Sequence, residues 1–347
     1  MGHGMRAIVV TRYGGSLELA DRPCPRPGPG EALVRVRASG LCGTDLHLVS
    51  GRQPLGDLPR ILGHELAGDV GALGSGVDGW RVGDRVTAAI DVTCGCCRHC
   101  RTGETQRCPA MTRIGFERDG GHAEYVAVPV ANLVRLPPDL SYESAAILPD
   151  AVACMYHSLV CQGQVEIGQK VLILGVGGLG IHGVQIARLA GAQVLATSRR
   201  SERLRLAERF GAIPLNPDTQ SVEDAVASLT HGEGMDLVVD NIGNRASVRQ
   251  GLHVLRPGGK FLVVAYLDET FEVPSLPLFK TEQQIIGCRG STKHDLVEVV
   301  RLVQAGQLSP VVGATYGLEQ IREATDRLAS GDLVGRIVLT RPSEPTQ

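Results

Sequence analysis

Three groups of residues in this chain have types and spacings that could do chemistry. The first is Cys94, Cys97, Cys100 and Cys108, a C-x2-C-x2-C-x7-C run. Four thiolates at such spacing close a tetrahedron around zinc, and a four-sulfur site with no open position is structural. Cys96 adds a fifth candidate, but the flexible Gly95 directly after Cys94 favours the register given. The second group is looser. Cys42-Gly43-Thr44-Asp45-Leu46-His47 is followed by Gly63-His64-Glu65-Leu66-Ala67-Gly68. A thiolate with an imidazole suits zinc, yet these two donors need a third from elsewhere. Taken singly, such a cysteine is more often a small core residue. The third group is Leu174-Gly175-Val176-Gly177-Gly178-Leu179-Gly180.

This glycine group sits between a strand and a helix. Lys170-Val171-Leu172-Ile173 reads as a buried parallel strand. After the turn, Ile181, Val184, Ile186 and Leu189 recur at helical spacing. Gly175, Gly177 and Gly180 then complete G-x-G-x-x-G. The first glycine allows the tight turn, the second lets a pyrophosphate approach the backbone, and the third lets helix and strand pack closely. With Gly178 and Leu179 they lead into a helix N-terminus whose free N–H groups suit phosphates. The next strand, 193–197, ends at Ser198-Arg199-Arg200. An NAD enzyme needs an acid about 20 residues past the turn, for the ribose 2′-hydroxyl. Ser198 stands there instead. A carboxylate would repel a 2′-phosphate, whereas serine with two arginines would bind one. NADP(H) is therefore the expected cofactor; the competing reading makes Arg199 and Arg200 a solvated helix start.

The elements that must position these groups fall into two rhythms. The first 150 residues alternate short apolar runs with turns, at 7–10, 32–36, 68–70, 84–90 and 123–128, and read as mainly β, a partly open barrel with long loops. From about 165, strand runs at 170–174, 193–197, 236–240, 260–265 and 284–288 alternate with helical runs near 179–190, 201–210, 221–230, 245–254 and 294–305. That alternation predicts a doubly wound parallel sheet. A further helical run, 318–328, and a last strand, 335–339, close the chain. With 347 residues, two domains are expected. The net charge of −2 gives no reason to expect a nucleic-acid or acidic-membrane partner. No apolar run approaches the roughly 20 residues of a membrane span. No secretory leader is evident, so the expected location is the cytoplasm, where ten cysteines point to metal rather than disulfides. Met1-Gly2-His3-Gly4, ahead of Met5, reads as a cloning remnant or an alternative start.

Taken together, the chain resembles the zinc-dependent alcohol dehydrogenase family of the medium-chain dehydrogenase/reductase superfamily. Gly63-His64-Glu65-x2-Gly68-x5-Gly74-x2-Val77 follows that family's zinc signature. The Cys42–His47 segment, the four-cysteine lobe, Gly83-Asp84-Arg85-Val86 and the glycine turn occur in family order over nearly the whole chain. The resemblance implies an α/β architecture. A GroES-like β-rich catalytic domain, 1–151 and 291–347, would carry the structural-zinc lobe at about 92–110, and a Rossmann domain would span 152–290. It implies two zinc ions per chain. Cys42 and His64 would ligate the catalytic one. The third ligand, cysteine or aspartate in the family, falls on Asp150, as in the aspartate-bearing branch of secondary alcohol dehydrogenases. Cys154, where the family usually has threonine, would pack near the nicotinamide or compete as a ligand. Glu65 would sit behind the metal and reach it during water exchange, and Asp45 would orient His64. Thr44 would hydrogen-bond the substrate oxygen, and His47 would pass the proton to solvent. Read alone, Asp150 is a helix cap, Thr44 a turn residue and His47 a surface histidine.

The expected activity is therefore hydride transfer between NADP(H) and a small-molecule alcohol or carbonyl, leaning to secondary alcohols, ketones or aldehydes. A polyol dehydrogenase, or a zinc-independent quinone or enoyl reductase of the same superfamily, stands as the alternative. The resemblance further implies a homodimer or homotetramer.

Overall fold

A computed structural model describes residues 4–52, 57–265, 267 and 269–341. Residues 1–3 of the expected N-terminal remnant lie outside the described residues. The chain divides into two compact units. One is formed by Met1–Ala153, Ser291–Ala305 and Pro310–Gln347, the other by Cys154–Gly290 with Gly306–Ser309.

The first unit is organised on one long strand, Glu31–Leu41. Its side chains alternate between buried and half-buried as far as Val36, the period of two that a pleated strand imposes. It pairs antiparallel with Glu65–Leu73, Tyr125–Pro129 and Arg336–Thr340. The larger sheet runs Leu133–Arg135, Arg85–Ala88, Glu65–Leu73, Glu31–Leu41, Arg336–Thr340, Val312–Gly317, with Tyr125–Pro129 off this path. A second sheet of three strands centres on Gly4–Val10. Ala32, Val34, Val36, Leu66, Val70 and Val86 share one buried cluster, and Ile8, Leu41, Leu48 and Leu62 share another.

Register decides where the candidate donors meet. Gly40 pairs with Glu65, and Leu41 pairs with Ile337. The end of the long strand therefore brings Cys42, the His64–Glu65 step and Arg336 to one end of the sheet. Directly after Leu41 the chain enters a helix, Gly43–Ser50, where the sequence reading placed only a loop. Cys42 is its N-cap, and the N–H of Cys42 donates to the carboxylate of Asp45 at 2.8 Å. This is the backward half of a capping box, with aspartate in the usual glutamate position. Fully buried Leu48 anchors the helix to the core, a burial worth about 1.5–3 kcal/mol.

The second unit carries a six-stranded parallel sheet. Its order is Ile213–Leu215, Gln193–Thr197, Lys170–Leu174, Met235–Asp240, Leu255–Val263, Gln284–Gly287, the dinucleotide-binding order with its reversal beside Lys170–Leu174. The strand Leu255–Val263 begins earlier than its apolar run, 260–265, and the short edge strand Ile213–Leu215 has no counterpart among the expected strands. Among the described residues no helix is long and apolar enough to cross a membrane.

Candidate functional site

Cys42 Sγ, His64 Nε2 and an Asp150 carboxylate oxygen converge in the first unit, with all three ligand atoms within 4.8 Å of one another. Asp150 Oδ2 lies 3.6 Å from Cys42 Sγ and 3.7 Å from His64 Nε2. Each arrives by a different route: Cys42 as a helix cap, His64 just before the Glu65–Leu73 strand, and Asp150 on the wide helical turn Leu148–Val152. Such turns recur at functional sites. Cys154 falls in the other unit and is not part of this donor group.

The cluster is electrostatically primed for a cation. Burial disfavours the charged form of Asp150, yet the His64 hydrogen bond and the Arg336 charge hold it well below the usual carboxylate range. Burial likewise opposes protonation of His64, but the neighbouring Asp150, Cys42 and Asp45 drive its pKa well upward. A buried imidazole that draws a proton here marks a point that favours positive charge. A thiolate, an imidazole and a carboxylate within one ion's reach fit zinc.

Two residues frame the donors. Thr44 Oγ1 lies 3.5 Å from Cys42 Sγ. His47 follows three residues later on the same helix, one turn away and half-buried. Burial, then the charge of Arg52, lowers its pKa, so it is a neutral ring near pH 7.

Behind the cluster lies Glu65, held by Arg336, a residue with no counterpart in the sequence reading. Arg336 is buried and grips Glu65 through both carboxylate oxygens, with contacts of 2.6, 2.9 and 3.1 Å, while its Nη2 also reaches Asp150. Burial pushes Glu65 up to about 7, against the pull of Arg336 and with the push of Asp150. The N–H of Ala151 adds a 3.2 Å bond to Glu65. Glu65 is thus held by a cation and a backbone donor on the flank of the three-donor group.

The four-cysteine group also comes together, with sulfur separations of 3.5, 3.9 and 3.6 Å along the series Cys97–Cys100–Cys94–Cys108. Cys96 hydrogen-bonds Cys94 but stands outside the four. Backbone N–H groups of Cys96 and Cys97 pull Cys94 down to about 6. The Cys100 N–H pulls Cys97 the same way, yet burial and its sulfur neighbours push it up to about 11. Four sulfurs this close ionise together only around a cation, which is what a closed zinc site provides.

In the second unit the helix Gly180–Leu189 starts on the glycine turn. A Cβ on Gly180 would stand 2.3 Å from the Gly175 carbonyl oxygen, so only glycine lets the helix begin there. The Thr197 hydroxyl accepts the Gly175 N–H at 3.1 Å, tying the turn to the next strand. Ser198 is buried, and its hydroxyl accepts the Arg200 N–H at 3.1 Å. Arg199 is exposed and pairs with Asp218 at 3.4 Å. Two further residues face the turn, neither of them expected. Arg203 Nη1 stands 3.9 Å from the Cβ position of Gly177. Among the described residues, both buried polar atoms of the Asn241 side chain have no hydrogen-bond partner, and its Nδ2 is 3.4 Å from the Cβ position of Gly180. An unpaired buried amide beside a glycine turn at the sheet's reversal point fits a bound dinucleotide.

Comparison with known proteins shows the family. Residues 28–138 match the alcohol dehydrogenase GroES-like domain, and residues 178–305 match the zinc-binding dehydrogenase domain. An L-threonine 3-dehydrogenase of Pyrococcus horikoshii is 34% identical, over 97% of this chain and 99% of its own length. The chain belongs to the zinc-dependent alcohol dehydrogenase family. An NAD-dependent alcohol dehydrogenase of Sulfurisphaera tokodaii is 32% identical over 96% of this chain and 99% of its own. The structure of a cobalt- and zinc-bound alcohol dehydrogenase from Pyrobaculum aerophilum superposes with a TM-score of 0.89 at 32% identity, covering 98% of this chain and all of that one. For an alcohol dehydrogenase of this family, the GroES-like domain and the Rossmann-like domain are the two folds observed above.

Proposed function

We propose that this alcohol dehydrogenase is NADP-linked, holds a catalytic zinc on Cys42, His64 and Asp150 and a structural zinc on Cys94, Cys97, Cys100 and Cys108, and acts on secondary alcohols and the matching ketones or aldehydes. The observation that carries the catalytic assignment is the convergence of three different donor types in a buried, cation-seeking cluster. Bound there, zinc would supply a Lewis acid for the substrate oxygen, and the nicotinamide a hydride acceptor. The chain's own part is to place the proton path. Thr44 Oγ1, beside Cys42, accepts or donates at the substrate oxygen, and neutral His47 on the next turn takes the proton towards solvent. Asp45 orients His64. Arg336 holds Glu65 in reserve against the donor group. The NADP assignment rests on Ser198 in place of an acid, with Arg199 and Arg200 directly after it and Arg203 beside Gly177 of the glycine turn. The lean towards secondary alcohols rests on Asp150 as third donor. The reading includes a homodimer or homotetramer working in the cytoplasm.

The NAD-linked relative and the Asp218 partner of Arg199 favour a second reading, in which Arg199 is a surface ion pair and NADH is used. The ratio of kcat/KM for NADPH over NADH at low ionic strength, across a panel of alcohols and ketones, separates the two. Charge-assisted hydrogen bonds to a phosphate contribute about 1.5–3 kcal/mol each before screening. The ratio is expected to be at least about tenfold and to shrink with salt. Ser198→Asp with Arg199→Leu is expected to reverse it. A wild-type ratio near one, or below, rejects the NADP assignment.

A further inference from the structure

The four-cysteine lobe is closed by a two-stranded neck, in which Asp91 pairs with Arg113 and Val92 with Thr112. Past the neck the chain turns at once on itself. The N–H groups of Phe116 and Arg118 both donate to the Arg113 carbonyl, at 3.2 and 3.0 Å. The Glu117 carboxylate accepts the Arg113 N–H at 2.8 Å and its Nε at 3.1 Å. Arg113, the last residue of the neck, is therefore the point on which the turn 113–118 is built.

This turn lies against the backbone that carries His64. The N–H groups of Gly120 and Gly121 donate to the Ile61 and Gly63 carbonyls at 2.9 and 2.7 Å. A Cβ on Gly115 would stand 2.6 Å from the Gly63 carbonyl carbon and 2.8 Å from the His64 backbone nitrogen. Any side chain there would push the turn off His64. The close approach seats the buried Phe116 with its ring centre 5.2 Å from that of His64, the planes tilted by 44°. Rings at this separation are in favourable contact. The Arg113 guanidinium carbon stands 4.0 Å from the centre of the same Phe116 ring, within cation–π range. A continuous path of contacts thus runs from the neck of the lobe, through Arg113 and Phe116, to His64.

We propose that Phe116 is a positioning residue for His64, and that the neck of the four-cysteine lobe holds it in place through Arg113; this rests on the Cys42–His64–Asp150 cluster being a zinc site. An imidazole can turn about its side-chain bonds, and a donor nitrogen that wanders holds a metal poorly. Phe116 limits that turning, so His64 Nε2 stays aimed at the point it shares with Cys42 Sγ and Asp150. The lobe then has a use beyond its own metal, because it fixes the wall on which one donor of the other group rests. Residues one step beyond a ligand typically change metal affinity by about 10–100-fold. A packing contact to one donor of three belongs at the lower end.

The test follows zinc release from full-length, zinc-loaded protein under excess chelator, by metal analysis rather than turnover. Phe116→Ala removes the wall, and Phe116→Leu keeps an apolar bulk against the ring. Phe116→Ala is expected to release its Cys42-dependent zinc about tenfold faster than wild type, and Phe116→Leu to restore most of that retention. In a Cys42→Ser background, Phe116→Ala is expected to leave release of the remaining zinc unchanged. Arg113→Leu keeps the ring but removes its support, and is expected to release the Cys42-dependent zinc faster than wild type; it also carries the test should Phe116→Ala not fold. Wild-type release from Phe116→Ala or from Arg113→Leu overturns the proposal. So does equal release from the alanine and leucine variants, or an equal speeding of both zinc ions by Phe116→Ala, which would mark a general loosening of the fold. If wild type and Cys42→Ser hold the same zinc content, the reading of the cluster as a metal site fails and takes this proposal with it. A Cys42-dependent zinc whose release ignores Phe116 fails the proposal alone.

Discussion

Cys94 and Cys108 are fourteen residues apart and complete a group of four like donors on a lobe whose first sulfur is exposed. Cys42 and Asp150 are 108 residues apart and join a histidine in a group of three unlike donors, two of them fully buried. Around the first group lie mainly backbone N–H groups and the sulfurs themselves. Around the second lie Asp45, Glu65, Arg336 and His122, every one of them buried. On the reading proposed above, the two donor clusters of one unit serve different ends. A closed set of like donors would need only local chain to hold a metal for stability. An incomplete set of unlike donors would use long-range charges and leave room for a substrate oxygen.

The sharpest way to break this contrast is to remove one donor from each cluster. Cys42→Ser is expected to abolish NADPH-dependent turnover while leaving a folded chain that still binds NADPH, read by circular dichroism and cofactor titration. Thr44→Ala comes next, with an expected loss of about 10²–10⁴-fold in kcat; Thr44 is not one of the three grouped donors, so zinc content should not change. Cys100→Ser acts on the other cluster and is expected to lower the melting temperature and soluble yield, because a closed site contributes folding energy directly. A Cys100→Ser protein as stable as wild type but inactive would reverse the roles assigned to the two clusters.

The same contrast explains what was legible in the sequence. The four cysteines and the glycine turn are read from spacing, because the residues that meet are neighbours in the chain. The parallel sheet is read from its strand–helix rhythm. Arg336 is 271 residues from the Glu65 it grips, and nothing local to either marks the pairing. His122 meets Asp45 only through the sheet register that brings the loops together. Arg203 and Asn241 carry no motif and stand out only once the glycine turn is seen beside them. The helix Gly43–Ser50 did carry a signal, Cys42 three residues before Asp45, but cysteine is not among the favoured caps and the segment read as loop.

The smallest expected effect sharpens the proton path. Burial and Arg52 lower the pKa of His47, so its neutral ring persists below the usual value of about 6.5. Alcohol oxidation needs that neutral ring to accept a proton. Wild type should therefore hold its oxidation rate as pH falls through neutrality, until His47 protonates. His47→Gln should lose rate earlier, by several-fold near pH 6–7, within the modest end of acid–base effects, and match wild type at high pH. Identical kcat–pH profiles remove His47 from the path.

Zinc per chain in freshly purified protein tests the two-cluster account most directly, measured for wild type and Cys42→Ser side by side. The account predicts two zinc ions in wild type and one in Cys42→Ser, with the fold intact in both. One zinc or none in wild type, or the same number in both proteins, contradicts it.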